Sequence, residues 1–174
     1  MTDQRIDAIL RGVLRPGRYA GGEWNTVVKD PSSISASMGI CYPAGYEEAM
    51  SSHRLQLLYQ VVNEHEQLAC ERVFLPWPDM AAELRKQRVP LFSLETGGPA
   101  LVHDVLCFLV EDVCQCLGVL ELLDLIGVSL RSEDRLAGDP IVVACGIGMV
   151  NPEPLAPFLD FVIAGEPEEA VVEL

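Results

Sequence analysis

The chain has 174 residues, 49% of them hydrophobic, which is enough for one domain with a full core and too apolar for a disordered segment. It carries 12 Lys and Arg against 26 Asp and Glu, a formal charge of -14 with no basic stripe. A nucleic-acid backbone and an anionic membrane surface are therefore excluded as partners.

Residues 1–14, MTDQRIDAILRGVL, place Ile6, Ile9, Leu10 and Val13 on one stripe and predict an amphipathic helix. They show no cleavable signal pattern, and no run reaches the roughly 18 apolar residues of a membrane span, so the chain reads as cytoplasmic. RPGRYAGGEWN (15–25) is a loop rich in glycine and aromatics. SISASMGICYP (33–43) alternates and stops at Pro43, which suits a first strand. AGYEEAMSS starts a helix that HRLQLLYQVVNEH continues through Leu55, Leu58, Tyr59 and Val62. CERVFLPW (70–77) reads as a strand, and Pro78 and Asp79 suit the first turn of a helix over PDMAAELRKQR. VPLFSLE (89–95) predicts a short strand turning at TGGP. HDVLCFLV (103–110) is apolar enough to be buried on both faces. CLGVLELLDLIG (116–127) predicts a helix ended by Gly127, and RSEDRLAGD a polar loop. PIVVACG is the next strand, PEPLAPFLD a short helix and FVIAG (161–165) the last strand. EPEEAVVEL opens a helix that is cut short, which suggests a piece of a longer chain.

Strands and helices thus alternate throughout. The fold class is α/β: a doubly wound, mostly parallel sheet with helices on both faces, three layers in all. The division is an N-terminal helix and docking segment (1–32) and an α/β domain (33–174). The simplest winding sets strand 33–42 beside strand 104–110, with a ligand crevice beyond their C-terminal ends. Segments 41–53, 75–79, 110–116 and 145–152 would crowd that edge.

Six cysteines occur, at 41, 70, 107, 114, 116 and 145, and a reducing compartment would keep them as thiols or metal ligands. Cys41, Cys114, Cys116 and Cys145 fall at the crevice edge and could converge on zinc or an iron–sulfur cluster. Plain core packing is the competing expectation, since free cysteine behaves as a small hydrophobe; Cys107 and Cys70 are read that way outright. Glu111 and Asp112 end the central strand, either as a carboxylate pair with a raised pKa or a cation site, or with Asp112 as a helix N-cap. Of the three histidines only His53 could reach the crevice. Tyr19 and Trp24 would be anchors of the docking segment. Neither a phosphate-binding loop nor a G-x-S-x-G hydrolase motif occurs.

Four stretches, GRYAGGEWNTVVKD, YEEAMSSHRLQLLYQVVN, ERVFLPWPDMAAELRKQRVPLFSLET and VNPEPLAPFLDFVIAGEPEEAVVEL, occur in this order and carry a resemblance. Together they resemble the N-terminal, cobalamin-binding-like (Rossmann-like) domain of a family of radical S-adenosylmethionine (SAM) proteins. The resemblance implies a binding module that presents a corrinoid, or an emptied pocket, to a radical SAM catalytic domain or subunit. It implies cobalamin-facing positions at Ser51, Ser52, His53, Glu111, Gly146, Gly148 and Asn151. Departures fall on the same loops. No Asp-x-His-x-x-Gly follows the first strand, Leu109-Val110 stands where Ser-Leu is expected, and Cys145-Gly146 where Gly-Gly is. Ala49 and Arg54 replace the family's usual glycines. No C-x3-C-x2-C triplet is present, so the chain alone should not cleave SAM. Two other readings stand beside this one: a thiolate metal or cluster site with an electron-transfer role, and a structural interaction domain without ligand. A homo-oligomer is a further expectation.

Overall fold

A computed structural model describes residues 4–173. Strands β1 (Ala36–Tyr42), β2 (Leu68–Phe74), β3 (Val105–Leu109), β4 (Ile141–Cys145) and β5 (Phe161–Val162) form one parallel sheet in the order β2-β1-β3-β4-β5. The winding reverses between β1 and β3, where the alternation of elements placed it. β3 is buried at every position, as expected of a central parallel strand covered on both faces.

Helices α1 (Gln4–Leu10), α2 (Tyr46–Ser51), α3 (His53–Glu64), α4 (Pro78–Gln87), α5 (Cys116–Ile126) and α6 (Pro167–Ala170) flank the sheet. α1, α4 and α5 share a core with Cys41, Phe108 and Ala144; α3 packs on the other face over Ile40, Cys107 and Cys145. Val119, Leu122, Leu123 and Ile126 of α5 are fully buried, each contributing about 1.5–3 kcal/mol. Gly127 ends that helix at φ 91°, a left-handed cap that suits glycine.

Four expectations need correction. Residues 89–95 are not a sheet strand. Their N–H groups go elsewhere, Leu91 to Leu125 O, Ser93 to Gly98 O and Leu94 to Arg72 O, and Pro90 has none to give. The helix expected over 46–64 is two helices broken at Ser52, whose side chain caps α3 by accepting from Leu55 N. PEPLAPFLD makes only a 3-10 turn at Ala156–Phe158, because Pro154 and Pro157 withdraw helix donors. The first helix covers Gln4–Leu10; its expected start at residues 1–3, and Leu174 at the other end, lie outside the described residues.

Residues 15–30 run as a strap along the β2 edge and α3. Arg18 bonds Glu47, Tyr19 Oη accepts from Trp77 N, and Tyr46 donates to Glu23. Tyr59 Oη then accepts from Val27 N, and Lys29 Nζ donates to the carbonyls of Asn63, His65 and Leu68 at the end of α3. Gly21 crosses Leu94 so closely (φ 66°) that a Cβ would meet Leu94 O at 2.4 Å. The strap lies against segment 89–95, whose Leu94 N–H and Glu95 carboxylate take the free backbone groups of Arg72 at the sheet edge.

Candidate functional site

The C-terminal ends of β1, β3 and β4 gather the loops expected at the ligand edge. Tyr42, the last residue of β1, donates from Oη to Glu111 Oε2 at 2.7 Å. Ser52, buried at the start of α3, donates to the same oxygen at 3.0 Å. Gln115 closes the other side: its Oε1 accepts from Glu111 N at 2.8 Å. Burial, and then the Glu111 carboxylate, push the Tyr42 hydroxyl up to about 12, so it remains a donor at neutral pH.

Glu111 and Asp112 do not act as a carboxylate pair. Asp112 turns away to cap the 3-10 turn Val113–Gln115, accepting from Cys114 N at 2.7 Å. That backbone bond holds its carboxyl below the usual range, opposite to the raised value expected of a pair.

The loop after β4 folds onto the end of β3 instead of opening toward a ligand. Gly146 (φ 101°) lies so near Val110 that a Cβ would meet Val110 O at 2.4 Å. Gly148 N donates to the same carbonyl at 2.9 Å, and Val110 N to Cys145 O. Across the switch point Gly118 abuts the loop after β1, where a Cβ would meet Pro43 O at 2.5 Å. The glycines here serve backbone-to-backbone contact.

The other expected positions scatter. Ser51 is exposed and bonds Glu48 O, His53 is exposed, and Asn151 is exposed, accepting from Glu153 N. A slot of about 380 Å³ remains between the β4 and β5 loops and α3, walled by Ile147, Met149, Val150 and Ile163. Arg54 and Glu166, 3.3 Å apart, lie in the wall of this slot.

The four candidate metal thiols do not converge, contrary to expectation. Cys41 faces the α5 side of the sheet and Cys145 the α3 side, both fully buried. Cys114 is exposed and Cys116 half-buried outside the sheet. Among the described residues no group of three or more His, Cys, Asp or Glu is placed to hold a metal ion. The close thiol pair is Cys107 and Cys145, 3.7 Å apart; the hydrogen bond shared with Cys145 and burial hold the Cys107 thiol up. Burial likewise raises Cys41, so Cys41 and Cys107 pack as neutral thiols.

A family model described as radical SAM proteins, N-terminal, matches residues 54–174, well over half of the chain. The chain belongs to that family. A comparison with curated proteins found no match. As a radical SAM N-terminal domain, the chain has a five-stranded, all-parallel, three-layer architecture consistent with a Rossmann-like fold. Among the described residues no helix is long and apolar enough to cross a membrane.

Residues that sequence reasoning missed complete the rim of this radical SAM N-terminal domain. Gln115 and Tyr42 gave no motif to find. Arg18 and Arg72 are buried cations; Arg72 stood in plain view as a charge inside the apolar run CERVFL. Of the two expected anchors, Tyr19 points inward, whereas Trp24 is fully exposed. Large apolar side chains protrude from the rim loops, with Trp77, Val113, Leu117 and Val150 between 47% and 85% exposed.

Proposed function

We propose that this chain is a non-catalytic N-terminal module of a radical SAM protein, a cobalamin-binding-like fold whose crevice has closed on itself and whose C-terminal rim docks on the catalytic domain. The observation that carries the reading is the shared acceptor at Glu111. Tyr42 and Ser52 both spend their hydroxyls on one carboxylate at the mouth of the switch point. With Gly118 against Pro43 and Gly146 against Val110, backbone contacts close the crevice at those two points, and the Tyr42 and Ser52 hydroxyls are already engaged. A carboxylate at the mouth would also repel the phosphate of a corrinoid tail. The residues present therefore do not fit a corrinoid. The protruding rim side chains support docking, because apolar groups ringed by polar ones mark interaction surfaces.

The test is a visible-light titration with hydroxocobalamin followed by gel filtration. The protein fraction is expected to emerge colourless. A stoichiometric corrinoid band travelling with the protein would overturn the closed-crevice reading. For docking, Leu117→Arg with Val150→Arg should leave the melting temperature of this domain within about 2 °C, since both positions are exposed. The same pair should weaken its association with the accompanying catalytic domain at least tenfold.

A further inference from the structure

Arg72 is the least expected residue in the fold, a guanidinium fully buried in the edge strand β2. Glu95, equally buried, accepts from its Nε and from its backbone N–H, both at 2.6 Å. Nη1 donates to Asn25 Oδ1 on the strap at 3.0 Å and to Gln56 Oε1 at 3.3 Å. The guanidinium lies 4.3 Å over the Tyr59 ring. Nη2 is buried too, yet has no protein partner among the described residues.

Two other buried polar atoms without a protein partner flank Asn25 on the strap: Glu23 Oε2 and Thr26 Oγ1. Tyr46 donates to the other oxygen of the Glu23 carboxylate. Arg72 also lines a cavity of about 20 Å³ with Arg18, Tyr19, Phe92 and Leu94. That volume is enough for one water and for nothing larger.

The chemistry of the three atoms selects the occupant. Arg72 Nη2 only donates, Glu23 Oε2 only accepts when ionised, and Thr26 Oγ1 does both. A monatomic anion could serve the first, but the Arg72 charge is already paired with the buried Glu95 carboxylate. Water serves all three. We propose that the strap is seated on a built internal hydration site: one water in the Arg72 cavity accepting from Nη2, and further ordered water donating to Glu23 Oε2 and bonding Thr26 Oγ1. The seam that holds the strap to β2 is then wet, and its polar groups are satisfied without direct contact.

Crystals of the 174-residue chain diffracting to about 1.5 Å test this, with a duplicate set soaked in bromide. A density peak within about 3.2 Å of Arg72 Nη2, without anomalous signal, is the expected result. An empty cavity, or a peak with bromide anomalous signal, overturns the proposal. Thr26→Val gives an independent reading in solution. A dry, unsatisfied hydroxyl would be relieved by this isosteric change and the melting temperature would rise by about 2 °C or more. A hydrated hydroxyl gives no rise or a fall, which is the result expected here.

Discussion

Gly118→Ala tests the closed crevice in a way that sets two effects of opposite sign against each other. In an exposed helix interior, replacing glycine by alanine stabilises by about 1 kcal/mol, because the unfolded chain loses freedom. Gly118 lies in α5, but a Cβ there would sit 2.5 Å from Pro43 O and 3.0 Å from Pro43 Cβ. An ordinary contact needs roughly 3.5 Å, so one of the two elements must move by about 1 Å. Neither yields readily. Tyr42, just before Pro43, is tied by its carbonyl to Ala44 N and Leu75 N, and α5 is held by fully buried Val119 and Leu122. Overpacking of this kind costs about 1–3 kcal/mol. The backbone contact at 2.5 Å puts Gly118 in the upper part of that range, about 2–3 kcal/mol, and subtracting the helix gain of about 1 kcal/mol leaves a net loss of about 1–2 kcal/mol, a fall in melting temperature of about 2–8 °C for a chain this long. Thermal unfolding followed by circular dichroism measures it. Gly17→Ala, where a Cβ would meet nothing within 4 Å, is the control and should stay within about 2 °C. A Gly118→Ala variant as stable as the parent, or more so, would refute the claim that α5 clamps the loop after β1.

Three further outcomes are expected. Arg72→Met should cost about 3–5 kcal/mol in urea unfolding by stranding the buried Glu95 carboxylate, and adding Glu95→Leu should recover most of it. His103 is buried, and that burial, opposed by Glu71, lowers its pKa. The folded state thus refuses a proton that the unfolded state accepts, so the stability His103 leaves intact above about pH 6.5 declines as pH falls below it. His103→Gln should flatten the stability profile between about pH 5 and 6.5 in denaturant titrations. Thiol labelling of the native protein should modify Cys114 quickly and Cys116 slowly, with Cys41, Cys70, Cys107 and Cys145 reacting only after unfolding; rapid labelling of Cys41 or Cys145 would contradict their placement.

What could be read without coordinates was the set of apolar runs. Val105–Leu109 is buried throughout, and α5 stops at Gly127, because burial and a left-handed cap are written locally. The segment 89–95 shows how local pattern misleads. Its alternation is strand-like and it does lie along β2, but β2 gives it one carbonyl, at Arg72, while the Arg72 backbone N–H goes to the Glu95 carboxylate. A side chain has taken a ladder position, and periodicity cannot report that. The strap was equally hidden. Lys29 finds its partners more than thirty residues away, and Glu111 meets Tyr42 and Ser52 from a different strand. At the rim, the glycines of the β4 loop signalled close approach correctly, but not what approaches: it is the Val110 carbonyl.

The cysteines make the limit concrete, because their failure to converge follows from sheet parity. Register pairs Cys41 with Phe108, and Phe108 with Ala144. Side chains on one face of a parallel sheet share that row, so Cys145, one residue beyond Ala144, must face the other way. A β1 thiol and a β4 thiol could have met only if one strand slipped by a single position, which would turn every buried side chain of that strand toward the wrong layer. Cys107 and Cys145 share a face and come within 3.7 Å. They do so in the apolar layer under α3, where the neighbouring sulfur and burial hold the Cys107 thiol neutral, the opposite of what a metal requires. Closeness of cysteines in a parallel sheet is decided by the parity of their register, and here that parity assigns them to packing.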